Sequence, residues 1–521
     1  MWEEIMYECP NCGGNLKFEI ASQKMFCAYC DSRLEPSEVE KESDTTESFE
    51  VNVFQCPQCG GEMFSGDTDA TAFCSYCGSA NILTPRISRE KRPQYIIPFK
   101  KTKEDCKKAY TRKMRKAFFV PKEYKDAKFV DGFRGIYMPY WSYRFAQKGQ
   151  VQLGGKIKER HGDYIHTKHY NLSGDLDTIY EGYSFDASTS FYDNISQALG
   201  PYHVQDMEKF SPAYLSGFYA DTADVSSDLY MPESVEMVND ATYEKLAKES
   251  AFRKYELSKV SDKRKSDLLN TECVGKDNTM YPVWFMSYRN GDRVAYATVN
   301  GQTGKVVADM PVDEKRFLFS SLILAIPIFF LLNMFLTLRP PVLLAICAIL
   351  VLVSDWLYYS EIVDIRKREN NEDDKALQVK RGKKGRKKQK TKDSASDVVG
   401  MVVGFFIIAY FVGIAAMQIG IVVVWLVAIG GCLLLWTFIR DDVKKKKSLP
   451  EHKGFTISLV ITALGGLLAL WNPVSDLWFY GGVILQLGAV LYNLMDLIRN
   501  YNRLAMRKLP QFEKKGGDDN A

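Results

Sequence analysis

The chain has 521 residues, 46% of them hydrophobic, and a formal net charge of only +4. This length corresponds to about three domains of ~150 residues, although the chain from residue 317 onward is mostly apolar. Eight of the 12 cysteines form four Cys-x-x-Cys pairs, which is typical of metal sites in a reducing compartment and argues against a secreted, disulfide-linked protein. The start, MWEEIMYECP, has no apolar core, so we expect no secretory signal there.

The eight paired cysteines lie in two copies of one motif. Each copy has 14 residues between its two Cys-x-x-Cys turns, and Phe26 and Phe73 precede the second turn of their respective copies. The candidate ligands are Cys9, Cys12, Cys27, Cys30, Cys56, Cys59, Cys74 and Cys77. This constant spacing indicates an internal duplication.

Four thiolates at this spacing predict a closed tetrahedral zinc site with no open position for water. We therefore expect two structural zinc ions per chain and no metal catalysis. Iron in a rubredoxin-like site is the alternative, because tetrahedral all-sulfur sites accept either metal. Segments this short bury too little apolar surface to fold alone, so zinc binding would supply folding energy on the order of 10–16 kcal/mol.

The Cys-Pro-x-Cys-Gly-Gly turns and their spacing resemble the zinc ribbon of the transcription factor IIB type, and ribbons in replication helicases. The resemblance implies two small β zinc ribbons, at residues 1–35 and 51–85, with the eight cysteines as ligands. Between them the acidic segment 36–50 is expected to be a flexible linker. Up to Ala80 there are 15 acidic and 4 basic side chains, a balance that repels phosphates. Nucleic-acid binding is therefore disfavoured and protein binding is favoured for the ribbons.

The charge reverses in the basic segment 86–128. Thr102 and Asp105 form a candidate capping box, which predicts a helix at about 106–119 that ends before Pro121. Its Lys and Arg residues are compatible with a solvated face or with pairing to the acidic ribbons. A surface for anionic lipid or for nucleic acid is the alternative.

Residues 129–313 are rich in aromatic side chains and predict an α+β domain with an antiparallel sheet. The sequence YMPYWSYR at 137–144 is echoed at 280–289, which suggests two related strands. Asn290-Gly291 predicts a hairpin turn. Helices are predicted at 192–199 and 241–259.

No catalytic constellation is found in this domain, so we expect a protein that is not an enzyme. His161, His166 and His169 are close in sequence, but lack a partner ligand at a convincing spacing for a second kind of metal site. The segment at 301–305, GQTGK, lacks the phosphate-loop spacing and is read as a hairpin turn. The acidic pair Asp221 and Asp224 is read as a loop turn.

The C-terminal region predicts an all-α block of six transmembrane helices over residues 317–498, because each apolar segment is long enough to cross a hydrocarbon core of roughly 30 Å. The segments are 317–338, 341–359, 398–416, 419–439, 454–471 and 477–498. The loop 360–397 and the tail 499–521 are rich in Lys and Arg, which places both termini and all the ribbons on the cytoplasmic side of the cell membrane.

Transport across these helices is a further possibility, since an ionisable residue in mid-bilayer would mark a path. By position in the sequence, Asp355 and Asp496 fall near the cytoplasmic ends of their helices. The neutral side chains of Asn333, Gln486 and Asn493 are read as interhelical hydrogen-bonding groups.

The whole layout resembles bacterial membrane-anchored zinc-ribbon proteins. That resemblance implies an adaptor or scaffold that recruits a cytosolic protein partner to the lipid bilayer. Two alternatives stay open: a membrane-tethered nucleic-acid factor, and a transporter with regulatory ribbons. The sequence names neither the partner nor any small-molecule ligand.

Overall fold

The protein is described here from a computed structural model. It describes residues 7–39, 48–65, 74–79, 84–126, 131–258, 260–335, 339–369, 374–380, 421–445, 453–510 and 512. These residues form a sheet domain that carries both cysteine clusters, followed by a block of long helices. The predicted α+β architecture of the middle domain is confirmed.

The first ribbon is a small antiparallel sheet of three strands in sequence order. Its strands are β1 (Leu16–Glu19), β2 (Lys24–Cys27) and β3 (Arg33–Leu34). It packs against the large domain through Phe18, whose ring centroid lies 5.1 Å from that of Tyr214. The Ser216 hydroxyl donates to the Leu16 carbonyl at 2.7 Å, so the first ribbon is docked on the domain through strand β1.

A 13-stranded sheet forms the large domain. Its strands are β4 (Ser48–Gln55), β5 (Glu62–Ser65), β6 (Thr84–Lys91), β7 (Tyr95–Ile96), β8 (Arg134–His161), β9 (Tyr164–Asp186), β10 (Glu208–Lys209), β11 (Tyr219–Ala220), β12 (Glu256–Leu257), β13 (Thr271–Asn290), β14 (Arg293–Asn300), β15 (Val306–Ala308) and β16 (Arg507–Lys508). The main path runs β10-β7-β13-β8-β11-β5-β4-β6. Strands β4 to β6 of the second ribbon therefore continue the same sheet as the middle domain.

The two sequence echoes become neighbouring antiparallel strands, β8 and β13. Tyr137 pairs with Pro282, and Tyr140 pairs with Thr279. Their aromatic side chains fill the core, where the rings of Tyr140 and Tyr281 stack at 4.6 Å. Strand β13 then turns at Gly291, which has φ of +62°, into β14, as the Asn-Gly signal predicts.

Four helices pack on this sheet: α1 (Lys103–Lys116), α2 (Asp193–Leu199), α3 (Met231–Lys248) and α4 (Asp262–Leu269). The capping box is present, because the Asp105 amide donates to the Thr102 hydroxyl and the Thr102 amide donates to the Asp105 carboxylate, each at 3.2 Å. The prediction of a helix at 241–259 is wrong in its bounds. The helix begins ten residues earlier, where Pro232 occupies a first-turn position that needs no amide donor.

The helical block contains α5 (Glu314–Phe335), α6 (Pro340–Glu369), α7 (Lys375–Lys380), α8 (Ile421–Lys445), α9 (Lys453–Trp471) and α10 (Asp476–Ala505). Within the described part of the chain, three helical segments are long and apolar enough to cross a membrane: Pro340–Ile362, Gly454–Trp471 and Asp476–Arg503.

The structure thus supports three candidate spans and not the six that we predicted. The predicted span 398–416 lies outside the described residues, and so does the end of 317–338. In place of 419–439, the apolar part of α8 is the shorter segment Val424–Phe438.

Both ends of the helical block meet at the sheet domain. The Val312 amide donates to the Asn502 side chain at 2.6 Å, and that side chain donates back to the Val312 carbonyl at 2.8 Å. After α10, strand β16 pairs with β14. The chain therefore enters and leaves the block at one place.

The loop after α6 also returns to the sheet domain. The Lys375 ammonium lies 2.5 Å from the Glu233 carboxylate, and Ala376 is buried beside Tyr230. The described part of this loop is thus fixed to the domain.

Candidate metal centres

All four Cys-x-x-Cys turns have the same backbone geometry. In each, the amide of the first cysteine donates to the carbonyl five residues later, and the amide four residues later donates back to that cysteine. At Cys9 these distances are 2.7 and 2.8 Å, and at Cys56 they are 2.9 and 2.8 Å. The two bonds close the chain beneath the sulfur atoms, so each turn presents two thiols to one point.

The residue four positions after the first cysteine has a left-handed backbone in every turn. The φ values are +72° at Gly13, +56° at Asp31, +73° at Gly60 and +66° at Gly78. Glycine adopts this conformation without a steric penalty, and Asp is one of the few other residues that tolerates it. This explains why glycine follows three of the turns and why Asp31 can occupy the same position in the fourth.

The structure brings together the two predicted sets of four cysteines. Within each set, all four Sγ atoms lie within 4.8 Å of one another. Cys9 and Cys30 are 3.5 Å apart and Cys12 and Cys27 are 3.4 Å apart. In the second set the corresponding Sγ distances are both 3.7 Å. Each cluster could hold one metal ion, and four sulfur donors suit an ion of tetrahedral preference.

The electrostatics of the second cluster also favour a cation. The pKa of Cys56 is lowered by hydrogen bonding, chiefly from Cys59, while hydrogen bonding with Cys56 raises the pKa values of Cys59 and Cys74. Hydrogen bonding thus favours the thiolate form at Cys56, which is the form that binds a metal ion. In the first cluster, hydrogen bonding from Ser32 lowers the pKa of Cys30 to about 6.

The two clusters differ in their exposure to solvent. Cys12 and Cys30 of the first cluster are exposed, whereas all four cysteines of the second cluster are buried. The residue before the last cysteine is a tyrosine in both copies, Tyr29 and Tyr76. Tyr29 is 80% exposed and Tyr76 is 0% exposed. One motif therefore occupies two opposite environments.

The second ribbon is covered by distant parts of the chain. The Tyr76 ring lies edge-on to Phe285 at 6.0 Å and to Phe512 at 5.6 Å. The Tyr296 hydroxyl donates to the Tyr76 carbonyl at 2.8 Å, and the Phe512 amide donates to the Cys59 carbonyl at 2.7 Å. Strand β14 and the segment after α10 thus seal this cluster.

Comparison with known proteins gives one relative. The chain is 32% identical to the uncharacterized protein YdjG of Bacillus subtilis (strain 168) over 318 residues, which are 60% of this chain and 92% of YdjG. It belongs to the YdjG family. No family model matches the chain, and no solved structure matches it. The relationship to YdjG assigns a family without an activity.

The other candidate residues of this YdjG-family chain are the three histidines and the acidic pair. His161, His166 and His169 are exposed near the end of the β8–β9 hairpin, and they are not part of the metal-binding groups found among the described residues. The Asp224 carboxylate accepts hydrogen bonds from the Thr189 amide at 2.8 Å and from its hydroxyl at 2.6 Å. It closes a loop, as the sequence indicates.

The basic helix α1 is partly built into the core. Cys106, Tyr110 and Met114 form its buried face, and the Lys113 ammonium donates to the Val306 carbonyl at 2.7 Å. Lys107 forms an ion pair with Asp131 at 2.8 Å. Part of its positive charge is therefore satisfied by groups of the middle domain, Asp131 and the Val306 carbonyl.

Asn493 forms interhelical hydrogen bonds, as the sequence predicts, but sequence reasoning missed that Asp355 is one of its partners. Asp355 falls near a helix end by sequence, but its side chain is buried against Asn493, whose amide nitrogen lies 2.6 Å from a carboxylate oxygen. Gln486 is buried as well. These polar groups come together only through helix packing. An acidic residue within an apolar segment does, however, indicate a functional position in the sequence.

Proposed function

We propose that this YdjG-family chain is a membrane-anchored zinc-ribbon adaptor whose first ribbon recruits a cytosolic protein partner. The contrast between Tyr29 and Tyr76 carries the proposal. At the second ribbon this tyrosine face is covered by other parts of the same chain, whereas at the first ribbon the same face is exposed. Exposed aromatic side chains beside a rigid backbone are typical anchors for protein partners.

Zinc is the proposed metal at both clusters, in ribbons of the transcription factor IIB type. The closed four-thiol donor sets favour a structural role for the metal, because they leave no position for water or substrate. The proposed role is binding and does not include an enzymatic activity. The first site holds a recognition surface in shape, and the second site holds the sheet domain together.

The contacts of Phe512 suggest the chemistry of the partner. Its backbone amide bonds to the carbonyl of Cys59 and its ring rests on Tyr76 and over Gly61. The equivalent positions in the first ribbon are Cys12, Tyr29 and Gly14. An extended segment with a phenylalanine or another aromatic residue would make the same backbone bond and ring contact there. We propose such a segment as the recognition element of the partner.

The helical block is proposed to cross the membrane an even number of times, with both termini in the cytoplasm. The bond pair between Val312 and Asn502 supports an even number of crossings, since the chain enters and leaves the block at one place. The attachment of Lys375 to Glu233 supports a return to the same side after α6. The basic loop 360–397 favours the cytoplasm for that side. Anchoring would raise the effective concentration of a recruited partner at the bilayer.

Site-specific photocross-linking in cells tests the recruitment. A photoreactive phenylalanine analogue is placed at Tyr29 in the full chain, and a matched probe is placed at Phe118, which is also exposed (67%). We expect a discrete cross-linked protein from position 29, lost when Cys9 and Cys12 are both changed to Ser, and none from position 118. Equal products from both positions, or no product from position 29, would reject recruitment by the first ribbon.

A further inference from the structure

A buried polar cluster lies inside the helical block. Asp355 of α6 is 0% exposed, and Ser458 of α9 and Asn493 of α10 are buried with it. The Asn493 side-chain nitrogen lies 2.6 Å from the Asp355 carboxylate, 2.9 Å from the Ser458 hydroxyl and 3.1 Å from the Ser354 hydroxyl. Oxygen atoms from two helices, α6 and α9, thus surround the side-chain nitrogen of a third helix, α10, within the candidate spans.

The negative charge of Asp355 has no basic partner among the described residues. The side chains that act on it are Ser458, Cys432 and Asn493, and none of them is cationic. A carboxylate removed from water without a counter-charge is costly, and acidic residues inside membrane helices therefore pair with cations or mark ion sites.

Several polar atoms around this cluster are buried without a hydrogen-bond partner among the described residues. They include Oδ2 of Asp355, Oδ1 of Asn493 and both polar atoms of the Gln486 side chain. An amide has two N–H groups, too few for the three oxygen atoms that surround the Asn493 nitrogen. The nitrogen and oxygen of an amide side chain exchange places by a half-turn. That turn would add the Asn493 carbonyl oxygen to the carboxylate and the two hydroxyls.

The polar groups continue along one face of α10. Three buried polar side chains follow one another at intervals of seven residues: Gln486, Asn493 and Asn500. At a rise of about 1.5 Å per residue, this row is about 21 Å long. It runs from the end of the block that meets the sheet domain to the middle of the candidate span Asp476–Arg503. The row therefore places polar groups on both sides of Asp355 along α10.

We propose that Asp355, Asn493, Ser354 and Ser458 form a binding site for a monovalent metal cation of the size of sodium. One carboxylate balances one positive charge, and the neutral oxygen atoms are the hard ligands that alkali cations prefer. A proton on Asp355 would neutralise the carboxylate and would bond to the turned Asn493 carbonyl, but it would leave the polar atoms of Gln486 without a partner among the described residues. A cation that moves along the α10 row with part of its water shell would meet the Gln486 side chain as well.

The full-length protein in lipid nanodiscs provides the test. Thermal unfolding is compared in sodium chloride and in choline chloride at equal ionic strength, and bound sodium is counted with radioactive sodium. We expect sodium to raise the melting temperature by about 2–4 °C, with one sodium ion bound per chain. Ser458→Ala should raise the sodium concentration required, and Asp355→Asn should abolish both effects. Asp364→Asn, an exposed carboxylate on the same helix, should retain both.

The wild-type measurements test the site even where Asp355→Asn fails to fold. Equal melting temperatures in the two salts with no bound sodium would overturn it. An identical sodium response in wild type and in Ser458→Ala or Asp355→Asn would also overturn it, since the cation would then bind elsewhere.

Discussion

The backbone amide of Phe512 donates a hydrogen bond to the carbonyl of Cys59 at 2.7 Å. Cys59 belongs to the second cysteine cluster, and Phe512 follows closely after the last helix of the block, which ends at Ala505. Between Ala505 and Phe512, strand β16 pairs with Arg293 and Val294 of strand β14. The second cluster is therefore coupled to the point where the chain leaves the helical block.

A pair of glycine substitutions tests this coupling. Gly13 and Gly60 have φ of +72° and +73°, but a Cβ on Gly60 would lie 2.5 Å from the Phe512 carbonyl oxygen, while a Cβ on Gly13 would meet no atom within 4 Å. Gly13→Ala should lower the free energy of unfolding by about 1 kcal/mol through backbone strain alone. Gly60→Ala should cost at least about 1 kcal/mol more and speed hydrogen exchange at Phe512. Equal losses for the two variants would contradict the docked position of Phe512.

The attachment of the loop after α6 rests on Lys375. Its ammonium group contacts the Glu233 carboxylate at 2.5 Å and the Leu229 carbonyl at 2.6 Å, with only 20% and 15% of the two charged side chains exposed. Lys375→Met leaves the Glu233 charge without this partner in a mostly buried place, which should cost about 1–3 kcal/mol. We expect faster proteolysis of the loop, measured by limited trypsin digestion.

The matched control for Lys375→Met is Lys367→Met. Lys367 pairs with Asp364 at 3.1 Å in a more exposed setting, with 27% and 62% of the two side chains exposed. Exposed pairs contribute little to stability, so digestion of this variant should match wild type. Equal digestion of both variants would show that the Lys375 contact does not hold the loop.

Asp186 predicts a pH dependence of stability. Burial raises the pKa of this carboxyl well above its ordinary value, and the charges of Asp193 and Asp374 raise it further. The folded protein therefore keeps this proton at a pH where the unfolded chain has lost it, so stability should fall as the pH rises above about 4. Asp186→Asn removes this loss of stability at high pH. The asparagine amide oxygen can still accept the hydrogen bond that the Ser196 hydroxyl donates to Asp186 in wild type.

We expect the melting temperature of Asp186→Asn to exceed that of wild type at pH 8 and to approach it at pH 4. Scanning calorimetry across this range gives the comparison, with the exposed Asp175→Asn as a control that follows wild type. A constant difference between Asp186→Asn and wild type at every pH would contradict the raised pKa.

The sequence predicts what short-range geometry determines. The eight cysteines, the Thr102 capping box and the Asn290-Gly291 hairpin each depend on residues a few positions apart, and the structure contains all of them. The opposite environments of Tyr29 and Tyr76 could not be predicted, because the two motifs are nearly alike. Phe285, Tyr296 and Phe512 create the difference, and they lie more than two hundred residues away from Tyr76.

The surroundings of Asp355 were missed for a similar reason. Its position in an apolar run is visible in the sequence, but its partners Ser458 and Asn493 come from two other helices. The three described candidate spans fall short of the predicted six because part of the block lies outside the described residues and the apolar part of α8 is short. Periodicity locates apolar segments, and packing decides which side chains face one another.

Metal content and release in the purified full-length protein test the proposal that the chain holds two zinc ions in unequal settings. We predict two zinc ions per chain and two phases of release to a chromogenic chelator, a fast one from the exposed cluster of Cys12 and Cys30 and a slow one from the sealed cluster. Phe512→Ala should speed the slow phase and leave the fast phase unchanged. Absence of zinc, or a single release rate for both ions that Phe512→Ala does not alter, would contradict the account.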